Sequence, residues 1–178
     1  MAFSFYVFEK NVLLADWWRL NMSARSANRL IRNGGDRNVQ DYSGLGNRVI
    51  DIGLPDDITH PDAGVTMAQL GAVHEFGAPE NSPPIPQRSF LRAWIQASRS
   101  RIIRTLNINA ENISVGLSIE DGAGQVALWG QGQVQEYITD LYDPPNAPLT
   151  IALKGDDNPL IDTGAMRQAV IGLVNDND

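Results

Sequence analysis

The residues best suited to chemistry stand near the end of the sequence, in Leu160-Ile161-Asp162-Thr163-Gly164-Ala165. An Asp-Thr-Gly triad after an apolar pair suggests aspartic-peptidase chemistry, in which two such carboxylates share one proton across a dimer axis. A homodimer could supply the second copy. Only fourteen residues follow Gly164, however, short of the flap and second set of loops that such a site needs. Asp162 is therefore expected to be the N-cap of a short helix, with peptidase activity as a remote alternative. His74-Glu75 opens like a zinc-peptidase motif, but position 78, where the second histidine ligand would stand, is alanine. Gly122-x-Gly124 and Gly130-x-Gly132 lack the third glycine of a dinucleotide turn. Lys154-Gly155 lacks the Gly-Lys-Ser/Thr order of a phosphate loop. A serine triad through His74 would have no Gly-x-Ser-x-Gly elbow to present its nucleophile.

Composition narrows the chemistry further. Among 178 residues there is no cysteine and there are two histidines, His60 and His74. Thiol nucleophiles, disulfides, cysteine-ligated zinc and multi-histidine metal sites are thereby excluded, and no cofactor is expected. A chain of this length fits one compact domain, or one domain plus an arm, and should bury roughly 70% of its unfolded surface without a staple. No run approaches the length of an apolar membrane span. The first ten residues include Glu9 and Lys10 without a basic start, so a cleaved leader is not expected and the cytoplasm is the expected place of synthesis.

The net charge of −7 is distributed in blocks. Residues 1–50 carry seven bases and four acids, 51–87 six acids and no base, 88–104 five arginines and no acid, and 105–178 eleven acids and two bases. Overall acidity argues against a dedicated nucleic-acid binder. Blocks of opposite sign could meet between copies of the chain, or the basic helix could fold back on its own acidic neighbours. Arg88, Arg92 and Arg99 fall within about 40° of one another at 100° per helical residue, which predicts an aligned basic stripe. Binding of duplex phosphates is the alternative use of such a stripe.

Several elements must position these residues. Phe3, Phe5 and Phe8 belong to an aromatic N-terminal segment expected to be a strand or a docking arm. Apolar positions at steps of three and four predict a helix over 11–32, which also carries Trp17 and Trp18. Residues 48–54 read as a strand. Thr66 and Gln69 fit a capping box, Val65 and Leu70 a hydrophobic staple, and Gly77 a stop, so Met67–Phe76 is predicted as a helix. Four prolines within 78–87 predict a stiff extended connector.

A long helix is expected over about 88–107, a strand over 113–119, a turn at 121–124, and a third helix from near 125. Asp143–Pro148 reads as a second rigid loop, followed by a helical turn at 150–153 ended by Gly155. A short helix capped by Asp162 is expected at 163–168, then a strand at 170–174 and a disordered tail at 175–178. The expected fold is α+β: about three helices on one face of a small, mostly antiparallel sheet, with extended proline-rich loops and an N-terminal arm. The expected division is an arm and amphipathic helix at 1–45 and a globular domain at 46–174.

Taken in order, four segments resemble the tailed-bacteriophage virion morphogenesis family of tail-completion, neck or head–tail joining proteins. They are Val73-His74-Glu75-Phe76-Gly77, then Ile85-Pro86-x-Arg88-x-Phe90-Leu91-Arg92, then Pro144-Pro145-Asn146-x-Pro148-x-Thr150, and finally Lys154-Gly155 with Pro159 to Arg167. The resemblance spans roughly 48–174. Ser89, Ala165 and Ala169 depart from residues common in the family. It implies a virion protein without enzymatic activity: a homo-oligomeric, commonly hexameric ring between the head connector or portal-side adaptor and the tail tube or its terminator. Genome DNA would pass through the ring without sequence-specific binding, and no membrane would be involved. A tail terminator capping the tube is the alternative within this class. The interface residues expected on this reading are the aromatic arm, Trp17, Trp18, Glu75, Phe76, Arg88, Arg92, Arg99 and Asp162.

Overall fold

Strand β2, Arg48–Gly53, is the central strand of the sheet. Ile50 and Ile52 are fully buried and alternate with the half-buried Val49, Asp51 and Gly53, so one face of the strand must be covered. The computed structural model describes residues 2–4, 48–61 and 64–176. Within it β2 lies between β1, Ala2–Ser4, and β3, Ile171–Asp176. The β2–β3 pair is antiparallel, with Ile50 opposite Val174 and Ile52 opposite Gly172. β1 adds a short parallel edge, with Phe3 opposite Ile50. The helix expected over 11–32, with Trp17 and Trp18, and the aromatic positions Phe5 and Phe8 lie outside the described residues.

The remaining elements are helices α1, Met67–Phe76; α2, Leu91–Ser114; α3, Ile119–Asp140; α4, Pro148–Lys154; and α5, Ala165–Gln168. The fold is α+β. α3 covers the sheet at close range: a Cβ on Gly130 would lie 2.1 Å from the Ile52 side chain, and one on Gly172 would lie 2.3 Å from the Ala127 carbonyl oxygen. α2 packs on α3, and the Trp94 and Trp129 rings meet at 6.4 Å between centroids. Phe90, Trp94, Val126, Val134, Ile138 and Val170 fill the core between helices and sheet. Among the described residues no helix is long and apolar enough to cross a membrane.

α1 forms where its caps predict. Thr66 Oγ1 accepts from Gln69 N, and Thr66 N donates to Gln69 Oε1, which completes a capping box. Gly77 leaves the helix at φ 77°, with the backbone of Gln87 only 2.9 Å from where a Cβ would be. The connector that follows is not extended. Ala78 and Ile85 exchange both backbone hydrogen bonds, closing the proline segment into a loop.

The largest departure from expectation is at 113–124. The strand predicted over 113–119 is instead the end of α2, a turn and the start of α3. Of the four alternating apolar residues only Ile113 is fully buried, and Val115 is 75% exposed. Two caps override the alternation: Gly116 takes φ 124°, and the Ser118 hydroxyl accepts from Asp121 N at 3.0 Å. Glu120 and Asp121 then sit on the positive end of α3. The turn expected at 121–124 is therefore helical, and α3 begins six residues earlier than predicted. Gly122 serves helix packing instead, since a Cβ there would lie 2.6 Å from Asn109 Oδ1. At the C-terminal end, Asn175 and Asp176 are not a disordered tail: they pair with Val49 and Arg48, and the Asn175 side-chain amide donates to Asp51 Oδ2 at 2.6 Å.

Candidate functional site

Glu75, in the last turn of α1, is a carboxylate with 2% of its surface exposed, a position that an acid occupies only when fully partnered. Its partners are the first turn of α2. Oε2 accepts from Phe90 N and Leu91 N, both at 2.9 Å, and Oε1 accepts from Arg92 N at 3.2 Å. The Ser89 hydroxyl donates to Oε1 at 2.6 Å, and Arg92 Nε donates to the same oxygen at 2.8 Å. A helix N-terminus offers unpaired donors and a positive dipole end, so a buried carboxylate there is neutralised by geometry as well as by its arginine. Arg92 also donates to the Glu75 carbonyl and lies 4.7 Å above the Phe76 ring. α2 consequently begins at Leu91, not near 88.

Arg88, just outside that helix, is 6% exposed. Its Nε donates to the Pro144 carbonyl at 2.8 Å, and its NH2 donates to the Pro145 carbonyl at 2.9 Å and to Asn146 Oδ1 at 3.4 Å. Its backbone N donates to the His74 carbonyl. Burial lowers the pKa of this guanidinium from its usual range, and the carbonyl oxygens compensate by accepting from the cation. Asn146 passes the connection on to the Asn158 carbonyl. Asn158, itself buried, donates to the Thr139 carbonyl at 2.7 Å and accepts from Leu160 N and Ile161 N. Lys154 donates to the Asn158 carbonyl, and Arg167 donates to Thr139 Oγ1. All four segments of the resemblance thus meet in one polar network.

Beside this network lies a cleft of about 220 Å³ lined by both histidines, Leu70, Pro159, Leu160 and residues 162–166. Asp162 is exposed at its edge and is the one carboxylate among the lining residues. It does not cap α5. The N-cap is Gly164 in a left-handed conformation, and the Thr163 hydroxyl accepts from Ala165 N instead. Burial, and then the Arg88 and Lys154 cations, lower the His74 pKa to about 4, so its imidazole is neutral. Its Nδ1 is buried with no hydrogen-bond partner. Among the described residues no group of three or more His, Asp or Glu side chains could hold a metal ion.

The sites expected from sequence thus divide. Glu75 and Arg88 are buried inside the subunit, which removes them as surface contacts. Arg92 is committed to Glu75, so the predicted stripe of Arg88, Arg92 and Arg99 does not exist as a free basic face. Arg99, Phe76 and Asp162 are exposed. Phe3 is placed by its backbone in β1. Sequence reasoning missed Ser89, Asn146 as a relay, and above all Asn158. The available signal was Asn158-Pro159, a turn-initiating pair whose asparagine bonds the backbone two and three residues ahead. Compared with known proteins, the chain matches no family model, no curated protein and no solved structure.

Proposed function

We propose that this chain is a structural component of a tailed-phage neck. In this reading it assembles into an oligomeric ring that joins the head connector to the tail and lets DNA pass, and it carries out no bond-making chemistry. One observation carries the reading. Several of the residues that resemble the tail-completion family are spent on architecture: Glu75 caps a neighbouring helix, and Arg88 ties the segment 144–146 to the junction of α1 and α2. A side chain fully engaged with backbone groups inside its own subunit has no capacity left for a substrate, but it holds loops in one shape for a partner.

The test is reconstitution. Purified protein is added to finished heads and free tails, and joined particles are counted by electron microscopy. The expected result is joining that depends on the protein. Capping of tail tubes without joining would favour the terminator role. A chain that neither joins nor caps, and remains monomeric, would overturn the reading.

A further inference from the structure

We infer that the outer face of α2 is a contact between copies of this chain, and that it meets the acidic, apolar surface formed by α4 and the end of α3 on the neighbour. The inference rests on the ring reading above and names its subunit contact. Arg99, Arg101 and Arg104 are exposed, and among the described residues none of them forms an ion pair. Arg101 reaches only Ser98 of its own helix. Ile103 and Ile108 are exposed on the same helix. Arginine forks bind carboxylates in pairs and shed water readily, and arginine is enriched in protein interfaces where lysine is depleted. Duplex phosphates would satisfy the three guanidinium groups but give the two isoleucines nothing to pack on. A chain of net charge −7 would also approach DNA against repulsion.

The counterpart has the opposite sign. α4 buries none of its seven residues, and a helix that short does not hold by propensity alone. Leu149 and Leu153 fall on one side of it and are 71% and 82% exposed. Tyr142, Asp140 and Asp143, on the chain leading into α4, are exposed as well, and neither acid is ion-paired among the described residues. Exposed leucines accompanied by carboxylates complement exposed isoleucines interspersed with guanidinium groups. The two surfaces occupy different places along the subunit. Arg88 holds the 143–148 loop at the start of α2, and the stretch from Arg99 to Ile108 lies roughly 12 to 25 Å further along that helix at 1.5 Å per residue. Two distinct, complementary surfaces suit head-to-tail association, the kind that closes into rings.

The experiment uses two full-length variants, Arg101→Glu with Arg104→Glu, and Asp140→Arg with Asp143→Arg. Circular dichroism checks that both are folded, and native mass is followed across a concentration series. Each variant alone is expected to associate on the order of a hundred-fold more weakly than the unmodified chain, and an equimolar mixture is expected to recover assembly by alternating the two. Variants that assemble as well as the unmodified chain overturn this contact and leave the ring intact. An unmodified chain that stays monomeric throughout overturns the ring together with the contact. If the arginine variant keeps its assembly and loses only retention on duplex DNA at low salt, the face serves nucleic acid and the inference fails.

Discussion

Oε2 of Glu75 accepts the backbone N–H of Leu91 at 2.9 Å, so the last turn of one helix caps the first turn of the next. The same carboxylate receives four further hydrogen bonds, three of them from donors other than the Arg92 guanidinium. Glu75→Ala strands the backbone donors of α2 and leaves Arg92 unpaired. It is expected to cost about 3–5 kcal/mol, the usual range when one partner of a buried charged cluster is removed. Arg92 is more than a third exposed, so its contribution is screened by water. Arg92→Ala should cost nearer 1 kcal/mol. Urea unfolding midpoints decide between capping and ion pairing: equal losses for the two variants would show that the pair, not the cap, holds this corner.

Arg88 fixes the 143–148 loop through two carbonyls and one side-chain amide, and a lysine has no fork to replace that pattern. Arg88→Lys should therefore lose most of what Arg88→Ala loses, roughly 2–3 kcal/mol for hydrogen bonds to a charged group. Hydrogen exchange gives the local readout. Amides of 146–161 should exchange faster in both variants, while those in the middle of α3 keep their protection. Unchanged exchange at 146–161 would mean that Asn158 alone suffices to hold the loop.

Glycines on α3 and β3 should respond in opposite directions according to what stands opposite them. A Cβ on Gly172 meets the Ala127 backbone at 2.3 Å, and backbone cannot rotate away. Gly172→Ala is expected to destabilise by about 3 kcal/mol, the upper end for overpacking. Gly132 faces open space on the same helix. Gly132→Ala should raise stability by about 1 kcal/mol through helix propensity. Thermal denaturation of the two variants checks the signs, and a stabilising Gly172→Ala would contradict the packing of α3 on β3.

Much of the fold was legible where local signals agreed. The capping box at Thr66 and Gln69, the alternation in β2 and the left-handed Gly155 each point to one structure, and each formed. Reading failed where two signals competed. Ile113, Val115, Leu117 and Ile119 alternate like a strand, yet Ser118 followed by Asp121 is also a helix start, and the cap prevailed, with Ile113 alone of the four fully buried. The arginine spacing was misread for a different reason. Helical periodicity places side chains on a face only within a helix, and Arg88 lies before α2 begins. Nothing local to 88–92 reveals that Glu75 will arrive from another helix to start α2, because that partnership is made by tertiary packing. For the same reason Asn158 was visible as a turn residue but not as a buried relay.

His74 gives the fold an acid-sensitive element. Burial, assisted by Arg88 and Lys154, lowers its pKa from 6.5 to about 4. The unfolded chain takes up this proton near pH 6.5, whereas the folded chain resists it down to about pH 4. The unfolded state therefore binds more protons throughout that window, and stability falls as the pH is lowered through it. At about 1.4 kcal/mol per unit the loss sums to roughly 3 kcal/mol. His74→Leu removes the titrating group and the unpartnered Nδ1 while keeping similar volume. Carboxylates titrate in both proteins, so the difference between the two pH–stability curves isolates His74. That difference should open below about pH 6.5 and level off near pH 4, with the leucine variant the less acid-sensitive. Parallel curves from urea unfolding across this range would mean that the imidazole gains its proton as easily in the folded chain as in the unfolded one.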